Sequence, residues 1–166
     1  MFNIVLHEPE MPANTGNIGR TCVASGASLH LIRPLGFRLD EKQIKRAGMD
    51  YWDKIDLHVY DDYADFIEKN PRACSRMFFA TTKAEKTYAD ARFEPGDYIM
   101  FGKESAGISE EILISKKDMC IRIPMLEDIR SLNLSNSAAI ILYEAFRQNN
   151  FGHLQNQGHL HHLEWQ

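Results

Sequence analysis

Short apolar runs alternate with amphipathic stretches along this chain. Asn3–Leu6, Leu29–Ile32, Ile55–Tyr60, Met77–Thr81, Tyr98–Phe101 and Cys120–Ile123 are brief and rich in β-branched, aromatic or other apolar residues. That pattern predicts six strands. The segments between them, Asn17–Ser25, Glu41–Ala47, Asp62–Lys69 and Ser109–Ile114, predict helices, with Asp61 as a cap for the third and Gly26 as the stop of the first. A last helix is expected from about Asn136 to Gln148, ending near Asn149-Asn150. Ala139, Tyr143 and Phe146 read as one stripe of it, and Ile141, Leu142 and Ala145 fall elsewhere around its circumference. A helix apolar on more than one side is buried on more than one side, by a deeper monomer core or by a second copy.

Strand–helix alternation predicts an α/β class: a mainly parallel six-stranded sheet flanked by helices. In such sheets ligands bind beyond the carboxyl ends of strands, so the loops that follow strands are where chemistry is sought. Three of them stand out. The first is EPEMPANTGNIGR, Glu8 to Arg20, where two prolines stop the strand and Asn14 or Thr15 is placed to cap a helix bearing Arg20. The second is FGKESAGIS, Phe101 to Ser109, where Gly102 bares main chain directly after a strand and Glu104 follows. The third is IRIPMLEDIRSLNLSNSAA, Ile121 to Ala139, in which Pro124 closes a strand and a long loop precedes an apolar helix. Five small polar residues, Ser131, Asn133, Ser135, Asn136 and Ser137, stand before that helix, although one suffices as its cap. Together the loops predict a small polar ligand held largely by main chain, beside Arg20, Arg130, Glu104, Ser135 and Asn136. Neither G-x-G-x-x-G nor G-x-x-x-x-G-K-[ST] occurs, which removes both nucleotide-phosphate fingerprints.

Composition narrows this picture. The 166 residues suit one domain, assigned to residues 1–150, with 151–166 expected to be a flexible tail. No run of about 18 apolar residues is present, so no membrane partner is expected, and MFNIVLHEPE reads as a first strand rather than a signal peptide. Cys22, Cys74 and Cys120 are odd in number and lack a C-x-x-C, which points to buried free thiols, a cytoplasmic location and no metal site. A formal charge of -4 argues against indiscriminate polyanion binding but leaves room for a local basic face. Lys42, Lys45 and Arg46 form such a cluster at helical spacing, with Arg33, Arg38 and Lys83 as further candidates.

At the three loops the sequence resembles the motifs of the SPOUT superfamily, in its SpoU-type branch of RNA 2′-O-methyltransferases. LHLIRPLGF and KRAGMDYW narrow the resemblance to the TrmL (YibK-like) tRNA wobble-nucleotide methyltransferases. It covers about residues 1 to 150. The resemblance implies an α/β fold with a deep C-terminal trefoil knot, a homodimer, and S-adenosyl-L-methionine as methyl donor with S-adenosylhomocysteine as product. Cofactor contacts would fall on Ala80, Thr81, Gly102, Ile123, Met125, Ser131 and Leu132. The substrate would be tRNA, methylated on the ribose of nucleotide 34 of tRNA-Leu isoacceptors. Arg20 would be the first catalytic residue, with Glu104, Ser135 and Asn136 accepting the proton or fixing the ribose. Because a guanidinium keeps its proton, Arg20 is better suited to stabilising a developing alkoxide or orienting a phosphate than to acting as a base. RNA contacts would come from Asn14, Arg20, Lys45, Arg46, Arg130 and Tyr143, with Tyr51 and Trp52 available for stacking. The chain departs from the family pattern at Lys103, where proline is expected, and in the acidic Glu127-Asp128 pair. Two other readings remain: a SpoU-type enzyme acting on rRNA or another tRNA position, and a non-catalytic RNA-binding assembly factor.

Overall fold

The computed structural model describes residues 1–39 and 52–165. Among them seven strands build one sheet: β1 (Asn3–His7), β2 (Ser28–Ile32), β3 (Leu57–Tyr60), β4 (Met77–Ala80), β5 (Lys86–Thr87), β6 (Tyr98–Phe101) and β7 (Cys120–Arg122). Their order is β3-β2-β1-β6-β4-β7-β5, and every pairing is parallel. The sheet therefore has one strand more than the six expected. The addition is β5, a two-residue edge strand that pairs Lys86 and Thr87 with β7 and carries no apolar pattern of its own.

Central strands read as unbroken apolar runs because both faces are covered. Ile4 and Leu6 of β1, Leu29 and Leu31 of β2, and Ile99 and Phe101 of β6 pack on one face. Val5, Ile32 and Met100 alternate with them and join Met77, Phe79, Phe66 and Leu113 on the other. The first face is covered by α1 (Pro12–Ser25) and α4 (Leu134–Gln148), which also pack on each other. The second face receives α2 (Tyr63–Lys69) and the short α3 (Glu110–Leu113). No helix among the described residues is long and apolar enough to cross a membrane.

Helix boundaries differ from expectation in instructive ways. α1 begins at Pro12 rather than Asn17, so Asn14 and Thr15 lie inside it and cap nothing; Gly26, at φ 69°, ends it as expected. The cap of α2 is Asp62, not Asp61: its carboxylate accepts the Asp65 N–H at 2.8 Å. α4 starts two residues early, capped by Asn133. Its buried residues, Ala138, Ile141, Leu142, Ala145 and Phe146, form a single stripe at i, i+3, i+4, i+7 and i+8. Phe146 thus belongs with Leu142 and not with Tyr143, which points outward and is 42% exposed. The helix expected at Glu41–Ala47 lies outside the described residues.

The packed body also runs past residue 150. Phe151 and Leu154 pack against the first core, and the His153 ring donates to the Ser25 carbonyl at 3.2 Å while meeting Phe146 edge-on. The expected flexible tail is anchored at its start. Of the three free cysteines, Cys22 and Cys120 are buried but Cys74 is exposed, contrary to expectation. Burial pushes the Cys22 thiol up to about 12, so it is inert packing.

Candidate active site

The strand ends of β6, β4 and β7 are neighbours, and the segments leaving them converge. A cavity of about 610 Å³ opens there, walled by Thr81 to Lys83 after β4, Gly102 to Gly107 after β6, and Ile123, Met125 and Arg130 to Leu134 after β7. All seven residues expected at the cofactor, Ala80, Thr81, Gly102, Ile123, Met125, Ser131 and Leu132, line this one cavity. Phe101, Ile121 and Ile141 supply apolar wall. The second wall is a tightly closed turn. A Cβ added at Gly102 would come within 2.0 Å of the Gly107 carbonyl carbon and 2.1 Å of the Ile108 nitrogen, so the chain crosses itself where only glycine fits.

The loop after β1 reaches the same cavity through Met11 and Asn14. Met11, the N-cap of α1, offers no side-chain cap bond, which leaves the donors of the first turn in need of an acceptor. Glu104, from the β6 loop, meets one of them, the Met11 N–H, together with two donors beside it. Its carboxylate accepts the Glu10 N–H at 2.8 Å, the Met11 N–H at 3.3 Å and the Asn14 side-chain amide at 2.9 Å. A carboxylate at a helix N-terminus is favoured by the dipole as well as by these bonds. Three donors from the first loop hold the Glu104 carboxylate, which therefore clamps that loop to the second.

The polar surplus before α4 resolves in the same network. Asn133 alone is the cap: its Oδ1 accepts the Ser135 N–H, the Ser135 hydroxyl and the Asn136 N–H. Its Nδ2 donates to Asn14 Oδ1 at 3.0 Å. Asn133, Asn14 and Glu104 thereby tie the third, first and second loops together. Asn133 is one of the five small polar residues of the third loop, and the structure gives it the cap and the tie to Asn14. Its signal was position, two and three residues before the polar pair it caps.

Other expected residues stand further off. Ser135 and Asn136 belong to the first turn of α4 and do not line the cavity, whereas Arg130 does. Arg20 is on the exposed face of α1 with Ala13, Asn17 and Ala24, six residues beyond Asn14 and about 9 Å further along the helix. Tyr143 is on the outer face of α4. Lys45, Arg46 and Tyr51 lie outside the described residues. Lys103, in the place of the expected proline, pairs with Glu8 at 2.8 Å, and Lys83 at the cavity wall pairs with Glu110 at 3.0 Å.

Comparison with known proteins agrees with this geometry. Residues 1–143 match the SpoU rRNA Methylase family. A tRNA (cytidine(34)-2′-O)-methyltransferase of Photorhabdus asymbiotica is 45% identical over 152 residues, covering 89% of this chain and 94% of that protein. A structure solved for the 2-OH methylation of C/U34 on tRNA superimposes with a TM-score of 0.85 at 45% identity, covering 90% of this chain and 97% of its own. The SpoU methyltransferase AviRb from Streptomyces viridochromogenes, in complex with AdoMet, has a TM-score of 0.77 at 25% identity over 89% of this chain and 57% of its own. A family match that runs from the first strand into α4 takes in every loop of the cavity, and the chain belongs to the SpoU methylase family.

Proposed function

We propose that this protein is an S-adenosylmethionine-dependent tRNA 2′-O-methyltransferase that modifies the ribose of nucleotide 34, accepting cytidine or a modified uridine. The observation that carries the reading is the convergence of three sequence-distant loops on one cavity in a chain of this family. At about 610 Å³ the cavity falls within the ordinary range for small ligands, roughly 300–1,000 Å³. Its mixture of apolar wall and main chain laid bare by Gly102 suits an adenine and an amino-acid moiety. Residues Ala80, Thr81, Gly102, Ile123, Met125, Ser131 and Leu132 would hold the methyl donor. When bound, the donor supplies an already activated methyl group, so the protein has chiefly to orient the ribose and accommodate one proton.

Arg20 is assigned to stabilise charge developing on the 2′-oxygen or to orient a flanking phosphate, and Arg130 at the cavity mouth is assigned to the RNA. Ser135 and Asn136 remain supporting candidates for ribose contact at the start of α4, and Asn14 for RNA contact from the cavity wall. Glu104 is assigned to hold the site together. Lys45 and Arg46, with Tyr143, are the proposed contacts to more distant parts of the tRNA. Charge reversal at Lys45 and Arg46 should then weaken tRNA binding and flatten its salt dependence.

The acting unit proposed is the single domain of residues 1–150, with the start of the following tail packed on it, as a cytoplasmic homodimer knotted near its C-terminus. Support for a second copy comes from Ile140, an apolar side chain 37% exposed on the outer face of α4. Incubating the protein with labelled S-adenosylmethionine and tRNA from a strain lacking it, then mapping the labelled nucleotide, tests the reading. Label at position 34 supports it; label in rRNA or at another position, or none, overturns it in favour of a different substrate or an assembly role. Arg20→Ala should abolish transfer with cofactor affinity nearly intact, and full activity in that variant removes Arg20 from the site.

A further inference from the structure

Glu10 belongs neither to the cavity lining nor to the basic surface, yet its hydrogen bonds are unusual. Its carboxylate accepts the Ser105 N–H at 2.9 Å and the Ser105 hydroxyl at 2.7 Å. In return its own N–H donates to the carboxylate of Glu104. Two loops 95 residues apart thus exchange acidic side chains, each holding the other's main chain. The Lys103–Glu8 ion pair adds a third rung at 2.8 Å. The loop of Glu10 is also held from behind: the Glu8 N–H donates to Ile32, the Gly36 N–H donates to Pro9, and a Cβ at Gly36 would stand 2.7 Å from the Glu10 Cα. Glu8 itself adopts φ 53°, a conformation uncommon for residues other than glycine. One end of the linkage is therefore fixed, and Ser105 is fastened to it.

What the linkage joins matters for the reaction. Ser105 lies in the Gly102–Gly107 turn, the second wall of the cavity. Glu10 leads within two residues into α1, which carries Arg20. We infer that Glu10 is a positioning residue for methyl transfer: by fastening Ser105 to the entrance of α1, it keeps the cofactor wall in register with the helix that bears Arg20. The inference rests on the function proposed above. Glu10 touches neither reactant, so its loss should leave binding largely intact while misplacing the reacting groups. A misplacement of about 1 Å from a distant change lowers rates by up to roughly a hundredfold. The Ser105 bonds also hold the Glu10 carboxyl below the usual carboxylate range, as expected for a partner that binds the ionised form.

The test compares wild type with E10A, E10Q and S105A in steady-state methylation of tRNA, thermal unfolding, S-adenosylhomocysteine affinity and hydrogen exchange. E10A should lower kcat on the order of tenfold or more, with KM for S-adenosylmethionine within about threefold and little change in melting temperature. E10Q, which keeps one acceptor for Ser105, should recover part of that loss. S105A, which removes only the hydroxyl bond, should show a smaller loss in the same direction, and adding it to E10A should cost little more. Exchange should accelerate in E10A at residues 102–107 and not across the sheet. An unchanged kcat in E10A, or a loss in kcat explained by a matching fall in melting temperature, overturns the assignment. A wild type that methylates no tRNA overturns the reaction itself, and this role with it, a result distinct from an active wild type with an indifferent Glu10.

Discussion

Glu104 offers the sharpest separation between a chemical and an architectural role. Replacing it with glutamine keeps the shape but exchanges one acceptor oxygen for an NH₂ group. Three donors face the carboxylate, the Glu10 and Met11 N–H groups and the Asn14 amide, so at least one must then meet another donor. Hydrogen bonds to charged groups contribute about 1.5–3 kcal/mol each, and the lower end applies at this partly exposed site. Loss of negative charge at the α1 N-terminus adds about 0.3–1 kcal/mol. With one or two bonds lost or reversed, E104Q should be destabilised by about 2–4 kcal/mol. In a chain of this length that corresponds to roughly 5–10 °C in melting temperature. S-adenosylhomocysteine affinity should fall in parallel, because the wall of the cavity loses its tie to α1. Thermal unfolding and titration calorimetry measure both quantities. A variant with wild-type stability and cofactor affinity but no methyl transfer would refute the clamp and return Glu104 to proton acceptance.

Two further predictions concern the cavity wall and the opposite side of the sheet. Gly102→Ala places a Cβ within 2.0 Å of main chain, and overpacking of that kind typically costs about 1–3 kcal/mol, so S-adenosylhomocysteine affinity should drop about tenfold; unchanged affinity in calorimetry would show that the Gly107 turn is free to move. His30 is buried between Tyr60 and Asn3, with His58 stacked on it, and burial lowers its pKa from 6.5 to about 4. Because the unfolded chain binds that proton more readily, stability is fully present above pH 6.5 and declines as pH falls toward 4. The total loss from this residue is about 3 kcal/mol, and His30→Gln should flatten the slope in urea titrations between pH 7 and pH 4.5; an identical slope would locate the acid sensitivity elsewhere.

The features legible in the sequence are those set by local pattern. Runs such as Met77–Ala80 and Tyr98–Phe101 announced buried strands because both faces of a parallel sheet demand apolar side chains. β5 announced nothing, since Lys86 and Thr87 join the sheet through main chain alone. The early start of α1 was hidden for a related reason. Pro12, Asn14, Gly16 and Gly19 are poor helix formers, and the acceptor that steadies the first turn is Glu104, 90 residues beyond Asn14.

The candidate site divides along the same line. Residues that expose main chain at strand ends, Gly102 above all, could be named in advance because their chemistry is local. Roles that depend on who receives a hydrogen bond could not. Glu104 carries the same carboxylate whether it takes a proton or closes a helix, and the donors that reach it come from a loop some 90 residues away. Asn133 stands out only as one of five small polar residues and Glu10 not at all; each acquires its role from a partner about a hundred residues away. In a cavity built from three separate loops, residue type therefore indicates which chemistry is available, whereas the bonds between loops determine which atoms remain free to perform it.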